Sequence, residues 1–305
     1  MKTTRREFAR KVGEVGIGSM LALGGCRQGE KEKSLPSAGP NQPDGIQQSR
    51  LRRLGKTGLL LSPVGFGAQH TRDPELIRYA LDRGMNHIET AWSYGFGRPG
   101  NSSECIGRAI AGRRDSVFLA VAYMAEPAPT HKLWVQHQFE QTLRDLGTDH
   151  LDVFLWHHPS GAPPLTVDQH KALIAAGERV DLMLKWKAEG KIRWCGITTH
   201  SEQVEWLKFA VDSKLYDVAV VAFNYESPKA ISEAMQKAAR AGVGLIAMKT
   251  QSPHYLEGEG KIGSAPDHRQ ALNRVLSKDY VTAAIPGMTA RSHVDLNLKA
   301  MGSTA

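Results

Sequence analysis

Short runs of apolar residues alternate along residues 62–301 with longer stretches in which apolar positions recur every three or four residues. Short apolar runs are typical of strands buried on both faces of a sheet, whereas the wider spacing is typical of amphipathic helices. Eight runs of the first kind occur, and a helical pattern separates most of them. The predicted strands cover residues 62–68, 87–88, 117–122, 151–156, 192–197, 218–223, 245–248 and 282–287.

This alternation predicts an α/β protein built on one parallel sheet. The stretch from residue 50 to residue 305 has about the length of one (β/α)8 barrel. It contains no obvious internal repeat, and nothing in it suggests a second domain. We therefore expect a single-domain (β/α)8 TIM barrel over residues 50–305.

Local features predict where several elements begin. Asp73 followed by Pro74 indicates a helix N-terminus, because Asp caps the first turn and Pro fits the first helical position. Ser103 is the expected cap of the next helix, and residues 167–189 predict one long helix. Residues 51–59 predict a small hairpin ahead of the first barrel strand.

The N-terminal residues have a different character. The paired Arg5 and Arg6 precede a mildly apolar run at residues 15–23. This run is too short to span a bilayer, which takes roughly 20 apolar residues. The pattern resembles a twin-arginine export signal, and the alternative is a disordered basic tail.

A cysteine follows this apolar run. The sequence LGGC ending at Cys26 resembles a lipobox, in which Cys26 becomes the lipidated first residue of the mature protein. Residues 27–49 are rich in Gly, Pro, Ser, Gln and Lys, which predicts a disordered linker. The expected organisation is a signal peptide over residues 1–26, a linker over 27–49 and the barrel over 50–305. Such a protein would be exported by the twin-arginine route and would be periplasmic or anchored to a membrane by its lipid.

Composition narrows the possible functions. The chain of 305 residues is 41% hydrophobic and 23% charged, which is ordinary for a soluble globular protein. Its net charge is +8, of which residues 1–49 contribute +3, since they hold 8 Lys and Arg against 5 Asp and Glu. The other basic residues form no stripe interleaved with aromatics, so nucleic acid is not an expected partner. Cys105 and Cys195 show no spacing typical of a disulfide framework.

Two sequence blocks carry a family resemblance. Residues 88–95 have the sequence IETAWSYG, and SECIG follows at residues 103–107. Residues 151–159 have the sequence LDVFLWHHP. Together they resemble the second and fourth strands of the aldo-keto reductases, a family of (β/α)8 barrels. The resemblance implies transfer of hydride between NADP(H) and a carbonyl or alcohol substrate, which a sugar would satisfy.

The resemblance also implies catalytic roles for three side chains. Tyr94 matches the proton donor, and His157 matches the histidine that orients the carbonyl. Glu89 stands where the family has an aspartate paired with a lysine. That lysine is expected at the end of the third strand, where this chain has Ala122 instead.

Loss of this lysine has a chemical consequence. A nearby cation lowers the pKa of a tyrosine from its usual value near 10, and a misplaced general acid typically costs about 10²–10⁴-fold in rate. His157 could take over proton donation, because its imidazole titrates nearer neutral pH. Alternatively, Lys249 on the seventh barrel strand could reach into the cavity and supply the cation.

The resemblance implies a set of cofactor-binding residues as well. Thr198 and Thr199 stand where a Ser-Asn pair would hold the nicotinamide amide, Asn224 is near the expected glutamine, and Met248 takes the place of a stacking aromatic. The phosphate end of NADP(H) would lie near Gly287, Arg291 and Asn297, at the N-terminus of the last helix.

Two other functions remain compatible with the sequence. Glu89, His157 and His200 could bind a divalent metal on a barrel that isomerises or hydrolyses a sugar. Alternatively, the barrel could be a catalytically silent binding protein.

Overall fold

The computed structural model describes residues 51–95, 101–124, 131–158, 166–175, 178–251 and 267–301. The strands in these ranges are β1 (Arg52–Arg53), β2 (Leu60–Leu61), β3 (Phe66–Gly67), β4 (His87–Ala91), β5 (Phe118–Met124), β6 (Leu151–His158), β7 (Ile192–Thr199), β8 (Val218–Ala222), β9 (Gly244–Met248) and β10 (Ala283–Ala284). The signal peptide, Cys26 and the linker predicted for residues 1–49 lie outside the described residues, so they stay predictions.

Helices connect these strands. They are α1 (Pro74–Asp82), α2 (Ser102–Ile110), α3 (His131–Leu146), α4 (Val167–Ala175), α5 (Glu178–Ala188), α6 (Gln203–Ser213), α7 (Lys229–Arg240), α8 (His268–Leu276) and α9 (Arg291–Met301). Where one long helix was predicted over residues 167–189, the structure describes two, α4 and α5. Within the described ranges, no helix is both long enough and apolar enough to cross a membrane.

Strands β3 to β10 form one sheet in sequence order, and every neighbouring pair is parallel. The first and last of these strands meet through isolated parallel bridges, Val64 with Ala284 and Gly67 with Gly287. The Gly65 amide donates to the Ala284 carbonyl at 2.9 Å across this junction. The sheet therefore curls until its two edges join, and the predicted (β/α)8 barrel is confirmed.

Alternation along the strands divides the core into two parts. Side chains of one parity face the helices, and those of the other parity face the barrel interior. The interior cluster consists of Leu54, Leu59, Leu61, Ala91, Phe118, Ala122, Val153, Leu155, Val218, Val220, Ala222, Ile246, Met248, Ala283 and Ile285. Functional side chains at the strand ends are thus presented above a packed interior.

The N-terminal hairpin belongs to this interior cluster. β1 and β2 pair antiparallel, with Arg52 opposite Leu61, and a 3-10 turn at Gly55–Thr57 connects them. Leu54 and Leu61 are buried among interior residues of the barrel strands. The hairpin prediction for residues 51–59 is confirmed, and the hairpin fills the barrel at the end where the strands begin.

Capping residues fix the starts of the first two helices. Asp73 caps α1 by accepting a hydrogen bond from the Glu75 amide at 2.9 Å, with Pro74 at the first helical position, as predicted. The prediction that Ser103 caps the next helix was wrong. Asn101 is the cap, accepting from the Glu104 amide at 2.9 Å, and the helix begins one residue before Ser103.

Cys105 and Cys195, the two cysteines in the described part of the chain, are buried and are not joined by a disulfide. Burial raises the pKa of the Cys195 thiol to about 12, which keeps it protonated and unreactive at neutral pH.

Candidate functional site

The carboxyl ends of the barrel strands bring several polar side chains to one mouth. Four residues at these ends occupy positions whose side chains face the barrel interior: Glu89 on β4, His157 on β6, Thr198 on β7 and Met248 on β9. Lys249 directly follows β9. Active sites of (β/α)8 barrels lie at this face, because the loops that follow the strands surround it.

Glu89 is a buried carboxyl in the wall of the barrel. Its backbone pairs with Gly67 on one side and Ala120 on the other, and only 8% of the residue is exposed. Burial raises the pKa of Glu89 to about 7, although the nearby charge of Lys249 opposes the shift. Near neutral pH this carboxyl is therefore divided between its protonated and ionised forms, so it can donate or accept a hydrogen bond.

Tyr94 lies in the turn that follows β4. Its amide donates to the Ala91 carbonyl at 3.0 Å, and its own carbonyl accepts from the Ser102 amide at 3.1 Å. The half-buried side chain packs against the interior cluster, which holds the ring over the top of the barrel core. A phenol is thus fixed at the mouth by backbone hydrogen bonds on both sides.

His157 and His200 lie side by side at the ends of the neighbouring strands β6 and β7. Their ring centroids are 5.4 Å apart, and the ring planes make an angle of 81°. Burial lowers the pKa of His157 to about 4 and that of His200 to about 3, and the charge of Lys249 contributes to both shifts. Both imidazoles are therefore neutral at pH 7, with one N–H donor and one acceptor nitrogen each.

Lys249 extends over the same mouth. Its Nζ donates a hydrogen bond to Oε1 of Gln69 at 3.2 Å. Burial lowers the pKa of Lys249, and the charge of Glu89 raises it. Because the barrel closes between β10 and β3, only those two strands separate β9 from β4, and a lysine after β9 can influence a carboxyl on β4.

The loop after β3 contributes two residues that the sequence did not indicate. Gln69 accepts the hydrogen bond from Lys249, and His70 lies beside Gly287, since a Cβ placed on Gly287 would be 3.3 Å from Cδ2 of His70. Burial, then the charges of Lys249 and Arg72, lower the pKa of His70. Only the position of these residues directly after a strand could have suggested them.

Thr198 and Met248, predicted to bind the nicotinamide end of the cofactor, contact each other. The Thr198 hydroxyl donates to the Met248 sulfur at 3.7 Å, and both side chains are buried. Thr199 is also fully buried, and its hydroxyl donates to the Ser201 carbonyl instead.

Asn224 has a local role in the loop after β8. Its Oδ1 accepts from the Glu226 amide at 2.9 Å, and its own amide donates to the Ser227 hydroxyl at 2.9 Å. These contacts orient the buried Asn224 side chain toward its own loop, which it stabilises as a turn.

The residues predicted for the phosphate end lie along the approach to α9. Gly287 is exposed and pairs with Gly67 at the barrel junction. Arg291 is exposed, with its guanidinium 4.8 Å from the centre of the Tyr79 ring. Asn297 is buried, and its Oδ1 accepts from Nε2 of Gln251 at 2.7 Å.

Metal binding by Glu89, His157 and His200 gains no support from this geometry. Among the residues that the structure describes, no three His, Cys, Asp or Glu side chains are grouped so that they could hold a metal ion.

Comparison with known sequences bears on this site. A model described as the aldo/keto reductase family matches residues 68–274, more than half of the chain. Aldo-keto reductase YhdN of Bacillus subtilis is 31% identical over 170 residues, which are 53% of this chain and 46% of YhdN. Mouse aldo-keto reductase family 1 member C21 is 28% identical over 158 residues, 46% of each chain. The chain thus spans about half the length of the curated relatives it matches.

Solved structures have the same fold over a longer stretch. An aldo-keto reductase from Bacillus halodurans in its holo form superposes with a TM-score of 0.65 at 23% identity, covering 83% of this chain and 91% of its own. An aldo/keto reductase from Klebsiella pneumoniae in complex with NADP and acetate gives a TM-score of 0.63 at 23% identity, with coverage of 84% and 91%.

Proposed function

Because the chain belongs to the aldo/keto reductase family, we propose that it is an oxidoreductase that transfers hydride between NADP(H) and the carbonyl of a small polar molecule such as a sugar. The observation that carries the proposal is the set of polar side chains at one barrel mouth, where Glu89 lies on β4, His157 lies at the end of β6 and Lys249 directly follows β9. Tyr94 packs over the same barrel interior. These groups can polarise a carbonyl and deliver a proton to its oxygen.

In this proposal Tyr94 donates the proton to the carbonyl oxygen, and the neutral imidazole of His157 orients that oxygen by donating a hydrogen bond. Glu89 shares the mouth with them and titrates near neutral pH. When bound, the nicotinamide supplies or accepts the hydride. If the Tyr94 phenol is too weakly acidic without a lysine at position 122, His157 is the alternative proton donor.

The cofactor side supports NADP(H) at two positions. Exposed Gly287 precedes the N-terminus of α9, where backbone amides favour an anion, and the exposed Arg291 guanidinium adds positive charge. Thr198 and Met248 contact each other inside the barrel, where they would contact the nicotinamide. Neighbours with this fold include one crystallised with NADP and another with NADPH.

Titration of the protein with NADPH, followed by nucleotide fluorescence, tests the proposal most directly. We expect saturable binding, weaker binding of NADH, and oxidation of NADPH when small aldehydes or aldoses are added. Arg291→Gln should weaken NADPH binding more than NADH binding, because the two cofactors differ by one phosphate. Arg83→Gln is the matched control. The Arg83 guanidinium also lies on the Tyr79 ring, but Arg83 directly follows the C-terminus of α1 and is not at the N-terminus of α9. Absence of nucleotide binding would favour the silent binding protein.

We also propose that the chain is exported by the twin-arginine route and is periplasmic or anchored through Cys26. Support comes from the paired Arg5 and Arg6, the short apolar run and the LGGC sequence. Replacing both arginines by lysine should retain the protein in the cytoplasm. Mass spectrometry of the N-terminus from a membrane fraction should find a lipidated Cys26, and an unmodified N-terminus there would contradict the anchor.

A further inference from the structure

Lys249 has an unusual backbone conformation for its place in the fold. Its φ is +56°, and the other non-glycine residues with positive φ in the described part of the chain are Glu202 and Lys214. Those two flank α6, and the left-handed conformation of Lys214 is common just after a helix. Lys249 instead follows a barrel strand at the candidate active site. Backbone strain of this kind tends to occur where function requires a particular side-chain direction.

A hydrogen bond fixes the end of the Lys249 side chain. The hydrogen bond from Nζ to Gln69 links the end of β9 to the loop after β3, across the barrel junction. Burial is the largest cause of the pKa shifts of Glu89 and His70 and of both buried imidazoles, His157 and His200. The charge of Lys249 adds to the shifts of the three histidines and opposes the shift of Glu89, and the charge of His157 also lowers the pKa of His200. Lys249 is thus electrostatically coupled to groups from four different segments of the mouth.

The third barrel strand offers no cation for this purpose. Ala122 has interior parity on β5, is buried, and pairs with Ala91 of β4 and Leu155 of β6. A methyl group therefore occupies the interior position on the strand next to the one that carries Glu89.

We propose that Lys249 is a positioning residue that holds a cation, from the seventh barrel strand, at the mouth it shares with Glu89, His157 and His200. Its part in carbonyl reduction rests on the proposed function. As hydride adds to the carbonyl carbon, negative charge develops on the oxygen until a proton arrives, and a fixed ammonium at the mouth stabilises that charge. A neutral His157 can meanwhile donate a hydrogen bond to the same oxygen without repelling the ammonium.

The test uses the full chain with Lys249→Met, Lys249→Gly and Lys249→Arg. The glycine variant removes the cation while accepting the positive φ, which guards against a folding defect. We expect the Met and Gly variants to shift the NMR titrations of His157 and His200 to higher pH and to lower kcat by roughly 100-fold. Lys249→Arg should retain most of both properties. NADPH affinity should stay close to that of the unaltered protein in all three variants.

A second variant tests where the charge is needed. Adding Ala122→Lys to Lys249→Met should restore the histidine titrations and at least part of kcat, because the new lysine enters the same interior from β5. Lys214→Met is the matched control, since Lys214 has φ +57° but lies on the surface at the end of α6.

Each outcome separates this inference from the proposed function. If Lys249→Met reduces carbonyls at the original rate, the inference is wrong and the reductase activity stands. If it abolishes NADPH binding, Lys249 is a cofactor ligand, which also overturns the inference. If the unaltered protein has no reductase activity but Lys249→Met still shifts both histidine titrations, the electrostatic role stands and the proposed function fails.

Discussion

In the proposed mechanism, Tyr94 is the side chain that donates the proton at the mouth. Removing its hydroxyl while keeping its ring should preserve packing against the interior cluster. We therefore expect Tyr94→Phe to lower kcat for carbonyl reduction by about 10²–10⁴-fold with little change in NADPH affinity. Steady-state kinetics and nucleotide fluorescence measure the two quantities.

Tyr225→Phe is the control for this prediction. Tyr225 also follows a barrel strand, but the Arg274 guanidinium lies 5.3 Å from the centre of its ring, and no catalytic role is assigned to it. If Tyr94→Phe retains full activity while His157→Asn loses it, the proton comes from the imidazole instead.

Individual site residues differed in how far the sequence could predict them. Glu89 and His157 could be placed at the mouth because each ends an apolar run, and parallel strands end at one face. The direction of Lys249 could not be predicted, because it depends on a positive φ and on closure of the barrel. The hydrogen bond from Thr199 to Ser201 depends equally on loop geometry that no sequence pattern encodes.

Among the elements, the N-terminal hairpin shows how alternation decides burial. Leu60 and Leu61 are adjacent on β2, yet Leu61 is 2% exposed inside the barrel and Leu60 is 36% exposed on the outside. Successive side chains of a strand point to opposite faces, so a single strand provides both environments.

This pair gives a matched prediction for stability. Leu61→Ala should lower the free energy of unfolding by about 2–5 kcal/mol, because it leaves a cavity in the interior cluster. Leu60→Ala should change it by about 0.5 kcal/mol or less. Urea unfolding of both variants measures the difference, and equal losses would show that the hairpin does not seal the barrel.

Elements were predicted best where a local chemical feature marks their ends. The Asp73–Pro74 start of α1 agrees with the structure. The cap of α2 was misassigned because Asn101 and Ser103 are both good capping residues, and only tertiary contacts choose between them. The last predicted strand covers residues 282–287, but β10 contains only Ala283–Ala284. Of the other residues, Gly287 joins β3 through one isolated bridge.

At the scale of the whole molecule, four buried titratable groups couple folding to pH. Burial lowers the pKa of His87 and of His200 to about 3 and that of His157 to about 4, from 6.5. Burial raises the pKa of Glu89 to about 7 from 4.5. Between about pH 4.5 and 6.5 the unfolded chain therefore binds up to three more protons through these histidines and one fewer through the glutamate, a net excess of about two.

We expect the free energy of unfolding to rise between about pH 4.5 and 6.5, by up to about 2.7 kcal/mol per pH unit. Above pH 6.5 the histidine contribution fades as the imidazoles of the unfolded chain lose their protons, and the opposing contribution of Glu89 fades as its carboxyl ionises in the folded state near pH 7. The free energy of unfolding should therefore level off above about pH 7. Urea unfolding across this pH range measures the slope.

Single substitutions should show how much a buried histidine contributes to the pH dependence of the free energy of unfolding. Without the imidazole of His200, as in His200→Gln, the slope should fall by up to about 1.4 kcal/mol per pH unit, the share of one proton. His137→Gln, at an exposed position on α3, should leave the slope unchanged. A flat stability profile in the unaltered protein would show that the buried histidines are not kept neutral by folding.

The junction at which Gly67 meets Gly287 closes the ring of strands with two isolated bridges, next to strands of only two residues each. A dinucleotide bound at Gly287 would cross that junction, so that binding the nucleotide would also stabilise the closed barrel. Nucleotide at one hundred times its dissociation constant would then stabilise the closed barrel by about 2.7 kcal/mol. Without the nucleotide, the barrel would open more often, and proteases would cleave it more readily at this junction.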